Sequence, residues 1–138
     1  MSVIIIDSGT KRKLREMTSE LLHAARELAL HTGAAVLVTG RTDYSTDGRQ
    51  VTATENGHAM MSRVTGVGCS MGALSAACAA VSPTPLQAAV STAVLMGIAG
   101  EMAFEQSPFP GSFAVSLLDS LYALSPEDVV RRARFLSL

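Results

Sequence analysis

The stretch Ala34-Ala35-Val36-Leu37-Val38-Thr39 decides the predicted fold of this 138-residue chain. An unbroken apolar run of this length, between Gly33 and Gly40, is typical of a β-strand in a sheet that is covered on both faces. A helix that leads into such a strand predicts an α/β fold. Behind the capping signal Thr18-Ser19-Glu20, apolar residues recur at helical spacing: Leu21, Leu22, Ala25, Leu28 and Ala29.

Short strands are predicted on both sides of this run. The β-branched segment Val3-Ile4-Ile5-Ile6 indicates a strand near the start of the sequence. Beyond Thr39, Asp47-Gly48 is a hairpin turn signal, and Asn56-Gly57 is a second turn that leads into Ala59-Met60-Met61-Ser62-Arg63-Val64. Three short strands are therefore predicted after the buried one.

The second half of the chain predicts helices. Small apolar residues indicate a helix over 73–81, and a proline at the first helical position begins a longer helix over 85–106. Ser112 is the predicted cap of the next helix. Ser125-Pro126-Glu127-Asp128 combines a cap, a proline and two acids, which is typical of a helix start.

Length and composition limit the classes of protein to consider. We expect residues 1–138 to form a single domain, because a chain of this length buries enough surface for one core. Hydrophobic residues make up 48% of the chain and charged residues only 17%, which excludes a disordered protein. The net charge of −1 argues against a general nucleic-acid-binding protein.

No charged residue lies between Arg63 and Glu101. A membrane-spanning segment is one interpretation, but Ser82-Pro83-Thr84-Pro85 interrupts the stretch and leaves too few consecutive apolar residues on either side. The alternative is a pair of helices buried between other elements or at a subunit interface. We expect no membrane association.

The two cysteines are predicted to be free thiols. Cys69 and Cys78 lie nine residues apart in a predicted helical region. Nine residues of helix span about 13 Å, which is beyond the roughly 7 Å limit for a disulfide. Free thiols indicate a reducing compartment, and we expect a cytoplasmic protein.

The chemistry of the chain is predicted to lie at Gly66-Val67-Gly68-Cys69-Ser70-Met71-Gly72. A glycine-rich turn that enters a helix leaves backbone N–H groups free at the positive end of the helix dipole, which favours an anion such as phosphate near Gly68. The spacing matches neither a Walker A loop nor a dinucleotide fingerprint, and glycines that merely allow close helix packing are the alternative. Cys69 is a candidate nucleophile or base, since the same dipole favours a thiolate.

Four motifs follow one another along the chain: Val38-Thr39-Gly40-Arg41-Thr42-Asp43-Tyr44-Ser45-Thr46-Asp47-Gly48, Glu55-Asn56-Gly57-His58, Val64-Thr65-Gly66-Val67-Gly68-Cys69-Ser70 and Pro110-Gly111-Ser112-Phe113. Together, and in this order, they resemble the hydroxyethylthiazole kinases of the ribokinase-like superfamily. The resemblance extends from about Glu20 to about Asp128 and corresponds to the C-terminal half of that family's chain. It implies the C-terminal portion of a three-layer α/β/α sandwich, with a few strands and four or five helices.

The resemblance implies ATP-dependent phosphorylation of the hydroxyl of 4-methyl-5-(2-hydroxyethyl)thiazole, with Mg²⁺, in thiamine biosynthesis and salvage. Thr39 and Gly68 are the expected nucleotide-binding residues, and Gly66 is expected to contact the thiazole through its backbone. Cys69 corresponds to the position where most ribokinase-like enzymes have a catalytic Asp. The family's N-terminal half supplies the acidic residues that organise Mg²⁺, so we expect no metal ligand in this chain.

The resemblance also implies a homo-oligomer, because the family is typically a homotrimer with sites at subunit interfaces. Val67 departs from the usual Thr of the family and Ala59 from its common Pro. An enzyme of this family built from this chain is expected to be active only if a complementary N-terminal half or a neighbouring subunit completes its site. Two other functions remain open. One is a truncated or catalytically silent fragment that folds and binds nucleotide without turnover. The other is a small helical membrane or interaction module.

Overall fold

The computed structural model describes residues 1–7 and 19–138 and contains one five-stranded sheet. The strands lie in sequence order, from β1 (Val3–Asp7) through β2 (Ala35–Thr39), β3 (Asp43–Thr46) and β4 (Val51–Thr54) to β5 (Phe135–Ser137). β1 and β2 are parallel, and every later pair is antiparallel. The predicted strands at the N-terminus and over the apolar run are confirmed.

Helices cover both faces of this sheet. α1 (Ser19–Thr32) packs on one face, where Ala25 and Ala29 meet Val36 and Val38 of β2. The other face carries α2 (Val67–Val81) and α3 (Pro85–Gln106), with α4 (Pro110–Ala123) against α3 and α5 (Pro126–Arg132) after it. The α/β fold with helices on both faces is therefore confirmed.

Side chains alternate along the strands, and this separates two hydrophobic cores, one on each face of the sheet. Ala35 and Leu37 of β2 face α3 and α4, where Met96 and Phe113 are fully buried, whereas Val36 and Val38 face α1. Because side chains alternate along a strand, β2 is buried on both faces, as its unbroken apolar sequence predicts.

α3 is the central helix of the larger core, with eleven buried residues. It is the one described helix that is long and apolar enough to cross a membrane. Its burial among the sheet, α2 and α4 accounts for this apolar composition within the fold. α2, which has no charged residue, has only three buried residues: Met71, Ser75 and Cys78.

The structure corrects three predicted elements. Residues 59–64 do not form a third strand after the buried one, since Ala59–Arg63 is a 3₁₀ helix that His58 caps by accepting a hydrogen bond from Met60 N. α2 begins at Val67, before the predicted start at residue 73. Ser112 does not cap α4, because that helix begins at Pro110 and the Ser112 hydroxyl donates to Phe109 O.

Other predicted helix boundaries hold. Thr84 caps α3 with Pro85 at its start, and Ser125 forms a reciprocal capping box with Asp128 at the start of α5. Thr18, the predicted cap of α1, lies outside the described residues.

Candidate functional site

The glycine turn at the start of α2 is exposed and open. Gly66 is the N-cap residue with φ of 97°, a left-handed conformation that glycine adopts without strain. Ser70 N makes the first helical hydrogen bond, to Gly66 O at 2.9 Å. The backbone N–H groups of Val67, Gly68 and Cys69 precede that bond, so they point out of the helix end without a helical acceptor. This is the geometry that binds anions.

The turn has room for a ligand. A Cβ built on Gly66 or Gly68 would meet no other atom within 4 Å. Among the residues that the structure describes, no helix packs against these two glycines, so the alternative interpretation of close helix packing finds no support there. Gly66, Gly68 and Cys69 are exposed residues of one helical turn, and the structure brings these three predicted site residues together.

The two cysteines lie on opposite sides of α2. Cys69, in the first turn, is exposed, whereas Cys78 is 6% exposed and belongs to the core. Both are free, as their spacing predicts. Cys78 is thus a small buried hydrophobic residue, and Cys69 is the thiol available for chemistry.

Thr39, the predicted nucleotide contact, lies on a separate element. It is the last residue of β2, half-buried, and its hydroxyl approaches Ile6 O of β1 at 3.5 Å. Thr39 and Asp7 pair in register, so the parallel strands end side by side. In open α/β sheets this carboxyl edge is where ligands bind.

Asp43 shapes the turn that follows Thr39. Its Oδ1 accepts a hydrogen bond from Gly40 N at 2.8 Å, and the residue is 8% exposed at the start of β3. Burial raises the pKa of the Asp43 carboxyl to about 6, and the Gly40 hydrogen bond only partly opposes this. A group that changes charge near neutral pH therefore lies beside the end of β2.

A second polar cluster fixes the segment before the glycine turn. Glu101 Oε1 of α3 accepts hydrogen bonds from Asn56 Nδ2 at 3.2 Å, Gly57 N at 2.9 Å and Arg134 Nη2 at 2.6 Å. Asn56 also bonds the backbone of the C-terminal segment, donating to Arg132 O and accepting from Arg134 N. The cluster ties the loop after β4 to α3 and to β5.

His58 also ties the loop after β4 to α3. Its ring stacks on Phe104 of α3 with centroids 3.6 Å apart, while Nδ1 accepts from Met60 N. The role of this histidine was open from the sequence, and the structure shows it as the cap of the 3₁₀ helix that leads to the glycine turn.

The residues present do not fit a magnesium site. Within residues 1–7 and 19–138, no three His, Cys, Asp or Glu side chains lie together where they could hold a metal ion. The carboxylates of Asp43 and Glu101 each accept a hydrogen bond from a backbone amide, of Gly40 and Gly57 respectively. Any magnesium in a reaction at this site therefore needs ligands beyond those that the described part of the chain brings together.

Sequence reasoning missed Asp43 and Glu101. Asp43 lies in the first motif quoted for the resemblance, and Glu101 lies outside all four motifs but hydrogen-bonds Asn56 and Gly57 of the second. Neither had an assigned role. The spacing Gly40 to Asp43 is typical of a side chain that accepts from a backbone amide three residues away. Glu101 gave a weaker signal: it is the first charge after the long uncharged stretch.

Comparison with known proteins places these motifs in context. The model of the "Hydroxyethylthiazole kinase family" matches residues 6–127. The chain is 96% identical over 121 residues to a hydroxyethylthiazole kinase of Akkermansia muciniphila, covering 88% of this chain and 45% of that protein. It is 42% identical over 135 residues to that of Pyrococcus furiosus, covering 95% of this chain and 50% of that protein. The chain thus spans about half the length of the curated relatives it matches.

A solved structure shares the fold. The structure of a hydroxyethylthiazole kinase protein from Pyrococcus horikoshii OT3 superposes with a TM-score of 0.80 at 39% identity. The match covers 86% of this chain and 47% of that chain. The α/β arrangement described above is therefore that of the corresponding half of a longer protein.

Proposed function

Because this chain belongs to the hydroxyethylthiazole kinase family, we propose that it forms part of an enzyme that phosphorylates the hydroxyl of 4-methyl-5-(2-hydroxyethyl)thiazole with ATP. The observation that carries the proposal is the exposed glycine turn, with three open amides and Cys69 in the same helical turn. Phosphoryl transfer depends mainly on positioning and charge stabilisation, and this turn supplies both for a phosphate.

Each site residue has a proposed role. The amides around Gly68 bind the phosphates of ATP, and Thr39 contacts the nucleotide from the end of β2. Gly66 contacts the thiazole through its backbone, which its exposed left-handed conformation makes accessible. Cys69 stands near the attacking hydroxyl and accepts its proton.

A complete active site needs more than these residues. Magnesium, which balances the phosphate charge in such reactions, requires carboxylates that the described residues do not gather. We propose that they come from the half of the family's chain that this sequence does not match. Residues 1–138 would then act as one unit, active only with that half.

We also propose an oligomeric state and a cellular compartment for the protein. α4 presents an exposed apolar stripe of Val115, Leu118 and Tyr122, which supports a homo-oligomer, a trimer by the family's pattern. The molar mass in solution, measured by light scattering, tests this. The two free thiols fit a cytoplasmic enzyme, with no membrane or nucleic acid as partner.

The decisive experiment is ADP release from MgATP with and without hydroxyethylthiazole. The chain is assayed alone and together with the rest of the Akkermansia muciniphila relative. In the active assembly, Cys69→Ala is expected to lower kcat by at least about a hundredfold with ATP affinity nearly unchanged, because the backbone amides remain. The matched control is Cys78→Ala. Equal kcat in Cys69→Ala and the wild type would remove Cys69 from the mechanism.

A second variant tests the phosphate site. Gly68→Val adds a branched side chain where a Cβ meets open space, so the chain itself is not crowded. ATP binding, measured by calorimetry, is expected to fall at least about tenfold. Gly111→Val, at another open glycine in the first turn of α4, is the control. Unchanged ATP affinity in Gly68→Val would refute the phosphate role.

A fragment that binds nucleotide without turnover is the second candidate. The observation that favours it is coverage, since the matched relatives are about twice as long as the matched portion. ATP binding by the chain alone, without thiazole-dependent ADP release in any assembly, would favour this candidate.

A further inference from the structure

Arg63 is the single charged residue in a long part of the sequence. The nearest charged residues before and after it are Glu55 and Glu101, so residues 56–100 carry one charge, and that charge is positive. Arg63 is the last residue of the 3₁₀ helix and is exposed. Gly66, three residues later, begins the glycine turn. The turn therefore follows directly after a charge of the sign that attracts phosphate.

The segment between Arg63 and the glycine turn is held in place by apolar side chains. Val64 is extended, with φ of −122° and ψ of 149°, and both Val64 and Val67 pack against the larger core. Arg63, Thr65 and Gly66 are exposed instead. Because three residues span at most about 11 Å, the long side chain of Arg63 can reach a phosphate group that is bound at the turn.

Arg63 is not engaged in another interaction of the described structure. Three arginines near the C-terminus are ion-paired with carboxylates: Arg131 with Asp128, Arg132 with Glu105 and Arg134 with Glu101. Arg63 has no ion pair and no side-chain hydrogen bond among residues 1–7 and 19–138. Its guanidinium is thus available to an anion, and the planar fork of a guanidinium matches the oxygen atoms of a phosphate group.

The glycine turn and Thr39, the proposed nucleotide contact, lie at the same end of the sheet. β3 is antiparallel to both β2 and β4, so β4 runs in the direction of β2, and Thr54 ends β4 at the end where Thr39 ends β2. Beyond Thr54, Gly57 N bonds Glu101 in the last part of α3. α2 and α3 pack together and are joined by residues 82–84, so they are antiparallel and the start of α2 lies beside the end of α3. A nucleotide that contacts Thr39 can therefore extend its phosphates to the glycine turn.

The backbone amides of the turn compensate only part of the charge of a nucleotide. A helix N-terminus is equivalent to roughly half a positive elementary charge, whereas the phosphates of ATP carry several negative charges. A guanidinium adds a full positive charge at neutral pH. In phosphoryl transfer, a charge of this kind stabilises the oxygen atoms of the group that is transferred.

We propose that the Arg63 guanidinium binds the γ-phosphate of ATP beside the amides of the glycine turn. The inference rests on the proposed function, because it assigns a further residue to the same site. In the transfer, the hydroxyl oxygen of the thiazole bonds the γ-phosphorus, and the bond between that phosphorus and the bridging oxygen of ADP breaks. ADP leaves with the electron pair of the broken bond, and Cys69 accepts the hydroxyl proton. Arg63 binds the γ-phosphate oxygens and takes up no proton.

Nucleotide affinity distinguishes this contact from a general effect of charge. Calorimetry measures the binding of ATP and of ADP to the 138-residue chain and to its Arg63→Gln variant. Arg63→Gln is expected to lower the affinity for ATP at least about tenfold and the affinity for ADP, which lacks the γ-phosphate, less than about twofold.

Two other exposed arginines provide controls. Arg49 lies in the turn between β3 and β4, at the opposite end of the sheet from Thr39. Arg41 follows Thr39 and lies at the same end as the glycine turn. Arg49→Gln and Arg41→Gln are both expected to leave the affinity for ATP within about twofold of the wild type.

Turnover tests whether the contact acts during the transfer. In a preparation that shows thiazole-dependent ADP release, Arg63→Gln is expected to lower kcat at least about a hundredfold, which exceeds its expected effect on KM for ATP. Arg63→Lys keeps the charge but loses the planar fork, so its kcat is expected to lie between those of the wild type and Arg63→Gln. Circular dichroism checks that each variant is folded.

Each outcome supports or overturns the assignment. Unchanged ATP affinity in Arg63→Gln overturns it, as does an equal loss of affinity for ATP and ADP or a loss in Arg41→Gln alone. If Gly68→Val loses ATP and Arg63→Gln does not, the proposed phosphate site remains without Arg63. If the loss is selective for ATP but no preparation releases ADP in response to the thiazole, the γ-phosphate contact is supported and the kinase function is refuted. A chain that binds no ATP in any preparation refutes both.

Discussion

α2 and the part of α3 before Glu101 are equally free of charge, yet only one of them is buried. α3 has eleven buried residues and α2 has three. The difference arises from position: α3 lies between the sheet, α2 and α4, whereas α2 packs against α3 and β1, the edge strand of the sheet that the described residues form. An apolar, uncharged composition therefore occurs in two environments of this fold, buried in α3 and largely exposed in α2.

The largest expected effect is on the free energy of unfolding, when an alanine of each helix is replaced by aspartate. Ala93→Asp in α3 puts a carboxylate at a fully buried position and is expected to destabilise the fold by more than about 3 kcal/mol. Ala76→Asp on the exposed face of α2 is expected to cost less than about 1 kcal/mol. Urea unfolding followed by circular dichroism measures both. Equal losses would show that α2 is as buried as α3 in solution.

Asp43 shows how much stability a buried carboxyl group costs, because the fold already buries its side chain. Its pKa is raised from 3.8 to about 6, so the folded state holds the proton while the unfolded state ionises. Stability is therefore lost as pH rises from about 4 to about 6, by up to about 3 kcal/mol in total. Asp43→Asn keeps an acceptor for Gly40 N and removes this loss.

The expected result for Asp43→Asn is a stability gain over wild type that is absent near pH 3.5, grows through pH 6 and is constant above pH 7. Urea unfolding at several pH values between 3.5 and 7.5 measures it, with Asp119→Asn on the exposed side of α4 as the control. A gain independent of pH would contradict the raised pKa.

Glycines give the next contrast. A Cβ on Gly97 of α3 would lie 2.6 Å from Asn56 Cβ and 2.7 Å from its backbone carbonyl, whereas one on Gly72 of α2 meets nothing within 4 Å. Gly97→Ala is expected to destabilise by about 1–3 kcal/mol. Gly72→Ala is expected to stabilise by about 0.5–1 kcal/mol through helix propensity. Thermal unfolding of both variants measures the pair, and a shift of the same sign in both would contradict the contrast.

The smallest perturbation uses the cysteines as reporters on α2. Cys69 is expected to react with a thiol reagent at the rate of an exposed thiol, and Cys78 at least about a hundredfold more slowly, because its reaction requires local or global opening. Absorbance kinetics with and without urea separate the two thiols. If both thiols react at the fast rate in the folded chain, the inner face of α2 is not packed against the core.

The sequence predicted those parts of the fold that depend on local signals. Pro85 after Thr84 and Ser125 before Pro126 begin α3 and α5 as expected, because caps act within one turn. The strand over Val36 and Leu37 followed from its apolar run. These signals do not depend on what lies across the fold.

Other features depended on distant contacts and could not be predicted. Residues 59–63 form a 3₁₀ helix because His58 caps it and stacks on Phe104 of α3. β5 exists because Phe135 and Leu136 pair with β4 far earlier in the chain. In the site, the glycine pattern predicted that Cys69 lies where the chain enters a helix, whereas the helix start at Val67 and the burial of Asp43 required the structure.

The bonds of Asn56 to the C-terminal segment have a consequence for synthesis of the protein. Asn56 meets Arg132 O and Arg134 N, which lie 76 and 78 residues later in the chain. During translation, the loop after β4 thus cannot form its bonds to Arg132 and Arg134 until both residues have left the ribosome. A ribosome-bound chain that ends before residue 132 is expected to expose this loop to protease, although β2, β3 and β4 are already complete.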